Sequence, residues 1–134
     1  MDRKEVMGMF NKKSRIGALA TSNKNGDVNV AVFGSPHMIN EETVIMAIGD
    51  NRTFKYLQEN PKASFIVIEP GDAPATWKGV RLYLEVAELE RYGEALDSFR
   101  ENIRKVAGDR SADAITAAVR FKITDVRPLI APGG

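Results

Sequence analysis

The sequence predicts an α+β domain that is mainly β: six antiparallel strands in a barrel, with about three helices outside it. Two observations predict this class. Strand-like runs follow one another through short turns, of which Asn25-Gly26 is the strongest hairpin signal. The helical patterns do not alternate with every strand, as a parallel sheet would require. Because 134 residues suit one core, we interpret residues 1–134 as a single domain.

The first half of the chain predicts one helix followed by three strands. Asp2 to Lys13 reads as a short helix, because an acidic residue can cap its start and its apolar residues share one face. Strands are expected at Arg15 to Ser22, Val28 to Phe33 and Thr43 to Ile48. Turn signals separate them, so we expect a three-strand meander with His37 to Ile39 in the last connection.

The chain then turns from strand into helix at a point that suits an anion. The third strand stops at Gly49, and either Asp50 or Asn51 is a good N-cap for the amphipathic pattern that follows. Arg52 and Thr53 would lie in the first helical turn, where backbone N–H groups and the helix dipole favour negative charge. A phosphate would fit there. The alternative is a capped surface helix with a solvated Arg52.

The second half predicts three more strands and one further helix. The helix that starts near Arg52 ends at Asn60, since the residue before a proline disfavours helix. The later elements are a strand from Lys62 to Glu69, a strand that begins at Gly79, a helix from Glu94 to Val106 and a strand from Ala117 to Thr124. The alternation of the long strand slips at Ala87 to Leu89, as a β-bulge would make it.

Composition excludes several classes of function. Nineteen Lys and Arg residues against 18 Asp and Glu give a formal charge of +1, which argues against a nucleic-acid partner. The absence of Cys excludes disulfides, thiolate nucleophiles and Cys-ligated metals. His37 is the only histidine, and no serine elbow, Walker loop or dinucleotide fingerprint occurs. We therefore assign no catalytic residue and predict no metal site.

The sequence also carries no sign of export or of a membrane span. The first residues lack the apolar region of a signal peptide, and no apolar run approaches the length that crosses a bilayer. Together with the missing Cys, this predicts a cytoplasmic protein without a membrane partner.

What remains is an apolar barrel, an anion site and a second basic position at Trp77-Lys78. The indole of Trp77 could cover a flat ring and Lys78 could meet an anion, although a loop Trp is as often a packing residue. A protein without its own strong acid, base, metal or thiol can still perform redox chemistry when a cofactor brings the reactive atoms. The residues therefore indicate a bound cofactor.

Four segments carry a resemblance to a known family. They are Ile16 to Thr21 with the turn at Asn25 to Asp27, Gly49 to Thr53, Asn60 to Ala63 and Lys78 to Leu82. Their order and spacing resemble the pyridoxamine 5′-phosphate oxidase-related family of flavin-binding split barrels over nearly the full length of the chain. The resemblance implies a split β-barrel that forms a homodimer, with a flavin mononucleotide (FMN) at each of two sites between the subunits.

The resemblance also implies which residues bind the cofactor. Arg52 and Thr53 would bind the phosphate, and Gly49 and Asp50 would turn the chain beside it. Lys78 is a further candidate, either for the phosphate or for the flavin of the other subunit. Along the edge of the isoalloxazine ring would run the segment of Val30, Ala31, Val32, Phe33 and Gly34.

The resemblance further implies an FMN-dependent oxidoreductase that transfers hydride or electrons between a reduced donor and a small molecule. True pyridoxamine 5′-phosphate oxidases carry a longer C-terminal region with substrate-binding Arg and His, whereas this sequence ends at Pro128 to Gly134. We therefore expect a different substrate. The alternatives are a non-catalytic flavin carrier, the same fold with a deazaflavin or haem, and an interaction module with a vacant barrel.

Overall fold

The computed structural model describes residues 1–130 and contains four α-helices and seven strands within them. In chain order these are α1 (Arg3–Phe10), β1 (Ile16–Ser22), β2 (Val28–Val32), β3 (His37–Asn40), β4 (Thr43–Gly49), α2 (Arg52–Glu59), β5 (Lys62–Glu69), the 3₁₀ turn Pro74–Thr76, β6 (Lys78–Glu90), α3 (Glu94–Ala107), α4 (Asp109–Asp113) and β7 (Ile115–Pro128). The mainly β, α+β class is confirmed. No helix of residues 1–130 has the length and apolar character to cross a bilayer.

All strands belong to one antiparallel sheet in the order β2-β1-β5-β6-β7-β4-β3. The expected meander of the first three strands is wrong, because β2 pairs with β1 alone and β4 pairs with β7 and β3. The physical reason lies in β4, whose five central residues are all buried. A strand buried in this way needs a hydrogen-bonded neighbour along each edge and apolar side chains against both faces. The apolar strand β7 pairs with one edge of β4, and β2 does not.

Two short elements were not predicted, so the structure has seven strands instead of six and four helices instead of three. The extra strand is β3, which pairs His37 with Ile45 and Met38 with Val44. Only Met38 among its residues is buried, so its sequence lacks a clear alternation. The extra helix, α4, is a five-residue turn after Gly108 that buries Ala112.

The sheet curls into a barrel around one hydrophobic core. The hydroxyl of Ser35 extends the β3–β4 ladder, because it donates to the carbonyl of Ala47 at 2.9 Å and accepts from the amide of the same residue at 3.1 Å. The connection after β2 is thereby joined to the end of β4. The largest fully buried side chains of this core are Phe10, Phe65, Phe121, Leu19, Met38, Met46, Ile48 and Leu82.

The long strands β6 and β7 pair along most of their length with two irregularities. One register shift lies between Val86 and Glu88, which confirms the bulge expected at Ala87 to Leu89. The other lies between Tyr83 and Leu84. Each bulge bends the strand and increases its twist. The two together help this ladder follow the curvature of the barrel.

Candidate functional site

The start of α2 is built by a tight passage out of β4. Gly49 lies so close to α4 that a Cβ atom there would be 2.8 Å from the backbone oxygen of Ala114. The Asn51 amide donates to the Gly49 carbonyl at 3.0 Å, and the Asn51 side chain accepts from the Phe54 amide at 2.9 Å. Asn51 is therefore the N-cap, and Asp50 stands exposed beside it.

The first turn of α2 faces two environments. Arg52 is exposed and forms no ion pair or side-chain hydrogen bond with any other part of residues 1–130. Thr53 is only 2% exposed, and its Oγ1 accepts a hydrogen bond of 3.2 Å from Nδ2 of Asn29 on β2. The helix start thus presents one cation to solvent and is attached to β2 by one polar contact.

An open groove of about 910 Å³ lies at this helix start. Its walls are α2 and the β1–β2 turn, and its cations are Lys24, Arg52 and Lys55. Asp50 and Glu59 also line it. Cations outnumber carboxylates, and the positive end of the α2 dipole lies at the same place, so the groove favours an anion.

The segment predicted to follow a flavin ring lies on β2 and just after it. This strand is at the edge of the sheet. The Phe33 amide donates to the Gly17 carbonyl at 3.0 Å, so by strand alternation the peptide groups of Val30 and Val32 face the open edge. Ala31 and Phe33 are half-buried on the inner side, and Gly34 is exposed beyond the strand. A ring placed along this edge would meet backbone donors and acceptors.

The outer side of β2 is an exposed apolar stripe formed by Val28, Val30 and Val32. Their exposed fractions are 82%, 69% and 75%. Ala18 and Ala20 are their cross-strand neighbours on β1, and a shallow hollow continues across this face. Exposed apolar side chains in a row on an edge strand are a common feature of interaction surfaces.

Lys78 lies at the other end of the sheet from Thr53. Asn29 pairs with Thr21, and Thr21 pairs with Ala63 near the start of β5. Lys78 pairs with Glu69 at the end of β5. Six residues of β-strand separate these levels by about 20 Å. Within one protomer Lys78 is therefore not beside Arg52. Its predicted role at the phosphate or at the other subunit's flavin stays a prediction.

The remaining sequence candidates take structural positions. His37 is exposed at the start of β3, with Nδ1 3.3 Å from the Ser35 carbonyl oxygen and its ring edge-on to Phe99 at 5.8 Å between centroids. Trp77 donates from Nε1 to the Gly71 carbonyl at 3.1 Å, which secures its own loop. Within residues 1–130 no three His, Cys, Asp or Glu side chains are grouped to hold a metal ion.

Sequence reasoning missed Asn29 and the exposure of the valine stripe. The signal for both was present: Asn29 is a polar residue on the inward face of β2, between valines that point the other way. The sequence of an edge strand alternates in the same way whether its apolar side chains face the core or the solvent. The alternation alone therefore does not tell which face is buried.

Comparison with known proteins adds family evidence to this geometry. Residues 4–129 match the protein family described as pyridoxamine 5′-phosphate oxidase. An uncharacterised protein of Methanocaldococcus jannaschii is 29% identical over 117 residues, which cover 85% of this chain and 72% of that protein.

Solved structures share the fold at lower identity. An FMN-binding protein of Syntrophomonas wolfei superposes with a TM-score of 0.83 at 24% identity, covering 96% of this chain and 86% of that one. The haem storage protein HutZ of Vibrio cholerae gives a TM-score of 0.66 at 18% identity, covering 92% of both chains. An F420 reductase gives a TM-score of 0.66 at 14% identity, with 90% and 94% covered.

Proposed function

The chain belongs to the pyridoxamine 5′-phosphate oxidase family, and from that membership we propose that it binds FMN between two copies of itself and acts as a small oxidoreductase. One observation carries the proposal. The hydrogen bond between Asn29 and Thr53 joins β2 to the start of α2. It brings the two segments expected to hold a flavin, residues 30–34 and 49–53, to the same side of the barrel.

The phosphate end of the cofactor fits the start of α2. Arg52 has a free guanidinium among the residues described, and a phosphate would give it a charged partner. The Thr53 hydroxyl accepts from Asn29 and so keeps one hydrogen to donate, but Thr53 is only 2% exposed and does not line the groove; its contact with the phosphate stays a prediction. The backbone amides of the first turn point in the same direction.

The ring end fits the open edge of β2. From Asn29 to Gly34 the chain advances by roughly 16 Å, which suits an elongated ligand lying along the strand. The peptide groups of Val30 and Val32 would orient the ring. A second protomer against the valine stripe would exclude water from it, which strengthens every polar contact inside.

When bound, FMN supplies the ring that accepts and returns a hydride. In this proposal Arg52 neutralises the phosphate, β2 orients the ring edge and the apolar stripe keeps the cavity dry, and no side chain is assigned as an acid or a base.

Replacing Arg52 with alanine is expected to weaken FMN binding by about 1.5–3 kcal/mol, roughly 10- to 150-fold, which is the scale of a charged hydrogen bond. Titration of the purified protein with FMN, followed by flavin fluorescence, measures the effect. Arg110→Ala is the matched control, because Arg110 is an exposed arginine on α4. Unchanged affinity in the Arg52 variant would reject the phosphate assignment, and a wild-type protein that ignores FMN would reject the function.

The fold is shared with a haem storage protein and with an F420 reductase, so a haem or a deazaflavin is the second candidate. Titration of the same protein with haemin and with a deazaflavin decides between them. We expect FMN to bind at least tenfold more tightly than either. Tighter binding of haemin would replace the oxidoreductase proposal with haem handling.

Hydride transfer is expected to distinguish an enzyme from a flavin carrier. The FMN-loaded protein is mixed with NADH or NADPH in a stopped-flow instrument, and bleaching of the flavin band is followed. A rate that saturates with one of the two reductants supports an oxidoreductase. No saturable reaction with either would favour the carrier.

A further inference from the structure

The turn between β1 and β2 carries the pair Asn25-Gly26. Asn25 is the only asparagine of the sequence that glycine follows. In this pair an asparagine loses its side-chain amide most readily, because glycine has no side chain to keep its own nitrogen away from the preceding residue. The surroundings of the pair decide whether this chemistry can proceed in the folded chain.

Both residues of the pair are open to solvent. Asn25 and Gly26 are exposed, and nothing lies within 4 Å of a Cβ atom built on Gly26. Gly26 has a φ of +84°, which glycine adopts without strain. The backbone amide of Asn25 donates to Oδ1 of Asn23 at 3.0 Å, but the Asn25 side chain forms no hydrogen bond within residues 1–130. That side chain is therefore free to rotate toward the nitrogen of Gly26.

One hydrogen bond restrains the nitrogen of Gly26. Its N–H donates to the Asn23 carbonyl at 3.2 Å, and the nitrogen must leave this bond before it can react. The turn leads into β2, a strand at the edge of the sheet, and such exposed segments open at a small fraction of the free energy of global unfolding. We therefore expect the reaction in the folded chain to be slower than in the unfolded chain, and still to occur.

The reaction needs no reactant besides water. The nitrogen of Gly26 attacks Cγ of Asn25, an N–Cγ bond forms, the Cγ–Nδ2 bond breaks, and ammonia leaves with the proton that the peptide nitrogen gives up. Water then adds to one of the two carbonyls of the five-membered imide and opens the ring. The product at position 25 is an aspartate or an isoaspartate, depending on which carbonyl is attacked. Either product carries a negative charge at neutral pH.

The new charge would lie in the groove at the start of α2, because Asn25 is one of the residues that line it. The charged side chains already there are three cations and two carboxylates: Lys24, Arg52, Lys55, Asp50 and Glu59. A third carboxylate would equal the cations in number. It would thereby remove the excess of positive charge that favours an anion in this groove.

We propose that Asn25-Gly26 is a site of spontaneous deamidation, and that the carboxylate formed there lowers the affinity of the α2 groove for the phosphate of FMN. The modification itself depends only on the exposed turn, whereas its effect on the cofactor rests on the proposed function. An aged molecule would release its cofactor more readily than a new one.

Incubation of the purified full chain in mildly alkaline buffer tests the modification. Peptide mapping by mass spectrometry should find, at position 25, the mass increase that accompanies exchange of an amide for a carboxyl. The rate should rise with pH, because the peptide nitrogen must lose its proton to attack. The same chain unfolded in urea supplies the reference rate. A folded chain that stays unmodified while the unfolded chain reacts would overturn the inference.

Titration with FMN at low ionic strength measures the consequence. The affinity should fall by roughly two- to fivefold as the modified fraction rises, which is the scale of one exposed charge interaction. Asn25→Asp carries the charge from the start and should show this lower affinity, with a smaller difference from the wild type at high salt. Asn102→Asp is the matched control, because Asn102 is exposed on α3 and does not line the groove. It should bind FMN as the wild type does.

A variant that resists deamidation separates this reaction from other effects of incubation. Glutamine would have to close a six-membered ring, which forms far more slowly. Asn25→Gln should therefore keep its mass and its own starting affinity throughout the incubation. If Asn25→Asp and the wild type bind FMN equally at low salt, the link to the groove is wrong. A fresh wild-type chain that does not bind FMN rejects the proposed function and with it the effect on the cofactor, whereas the mass measurement still decides the modification.

Discussion

Replacing Val30 with glutamate is expected to yield a monomer that no longer retains FMN. Val30 is 69% exposed in the single chain and is the central member of the apolar stripe on β2. If a second copy covers this stripe, each dimer would bury two like charges without partners, and an unpaired buried charge costs several kcal/mol. Analytical ultracentrifugation gives the oligomeric state, and FMN retention is read from the absorbance of the same sample.

A matched change separates this effect from a general loss of stability. Val106 on α3 is 86% exposed and lies outside the stripe. Val106→Glu should therefore remain dimeric and keep its FMN. A Val30→Glu protein that sediments as a dimer with wild-type FMN content would show that the stripe is not the interface.

Gly79→Ala is expected to lower the free energy of unfolding by about 3 kcal/mol or more, because the added methyl group meets backbone atoms that cannot move aside. A Cβ atom at position 79 would overlap the carbonyl oxygen of Val67 and lie 3.2 Å from Cδ2 of Leu129. The Val67 carbonyl belongs to the β5–β6 ladder, in which Gly79 pairs with Ile68. Urea unfolding followed by circular dichroism measures the change.

Gly8→Ala supplies the comparison for that experiment. Gly8 lies within α1, and nothing is within 4 Å of a Cβ atom built there. The substitution should raise the free energy of unfolding by about 0.5–1 kcal/mol, because alanine loses less conformational freedom in a helix than glycine. If Gly79→Ala unfolds at the same urea concentration as the wild type, the close approach of β5 and β6 is not as tight as described.

Local features of the fold were readable from the sequence. The Asn51 cap, the bulge near Glu88 and the end of α3 at Gly108 each follow from one or a few neighbouring residues. Which strands pair with each other could not be predicted from such local patterns. The continuous apolar run of β4 predicts that the strand is buried, but it does not identify β7 instead of β2 as the neighbouring strand. Pairing across a long separation depends on the whole barrel.

The same difference between local patterns and distant contacts applies to the candidate site. Segments 30–34 and 49–53 were named from a resemblance and from helix-start chemistry. Asn29, which joins them, was not, because a side chain to side chain contact between distant segments leaves no local pattern. Lys78 was a further candidate, and the structure places it a strand length from Arg52 within one protomer.

The pairing of β4 with β7 also fixes an order of events during synthesis. β4 is complete by residue 49, while its principal partner begins at residue 115. Contacts between such distant segments form slowly, because a long loop must close before they are gained. Until the ribosome has released the C-terminal strand, β4 has only the short β3 beside it, and its apolar residues are open to other nascent chains. A chain interrupted before residue 115 would therefore leave the barrel open along its most hydrophobic strand.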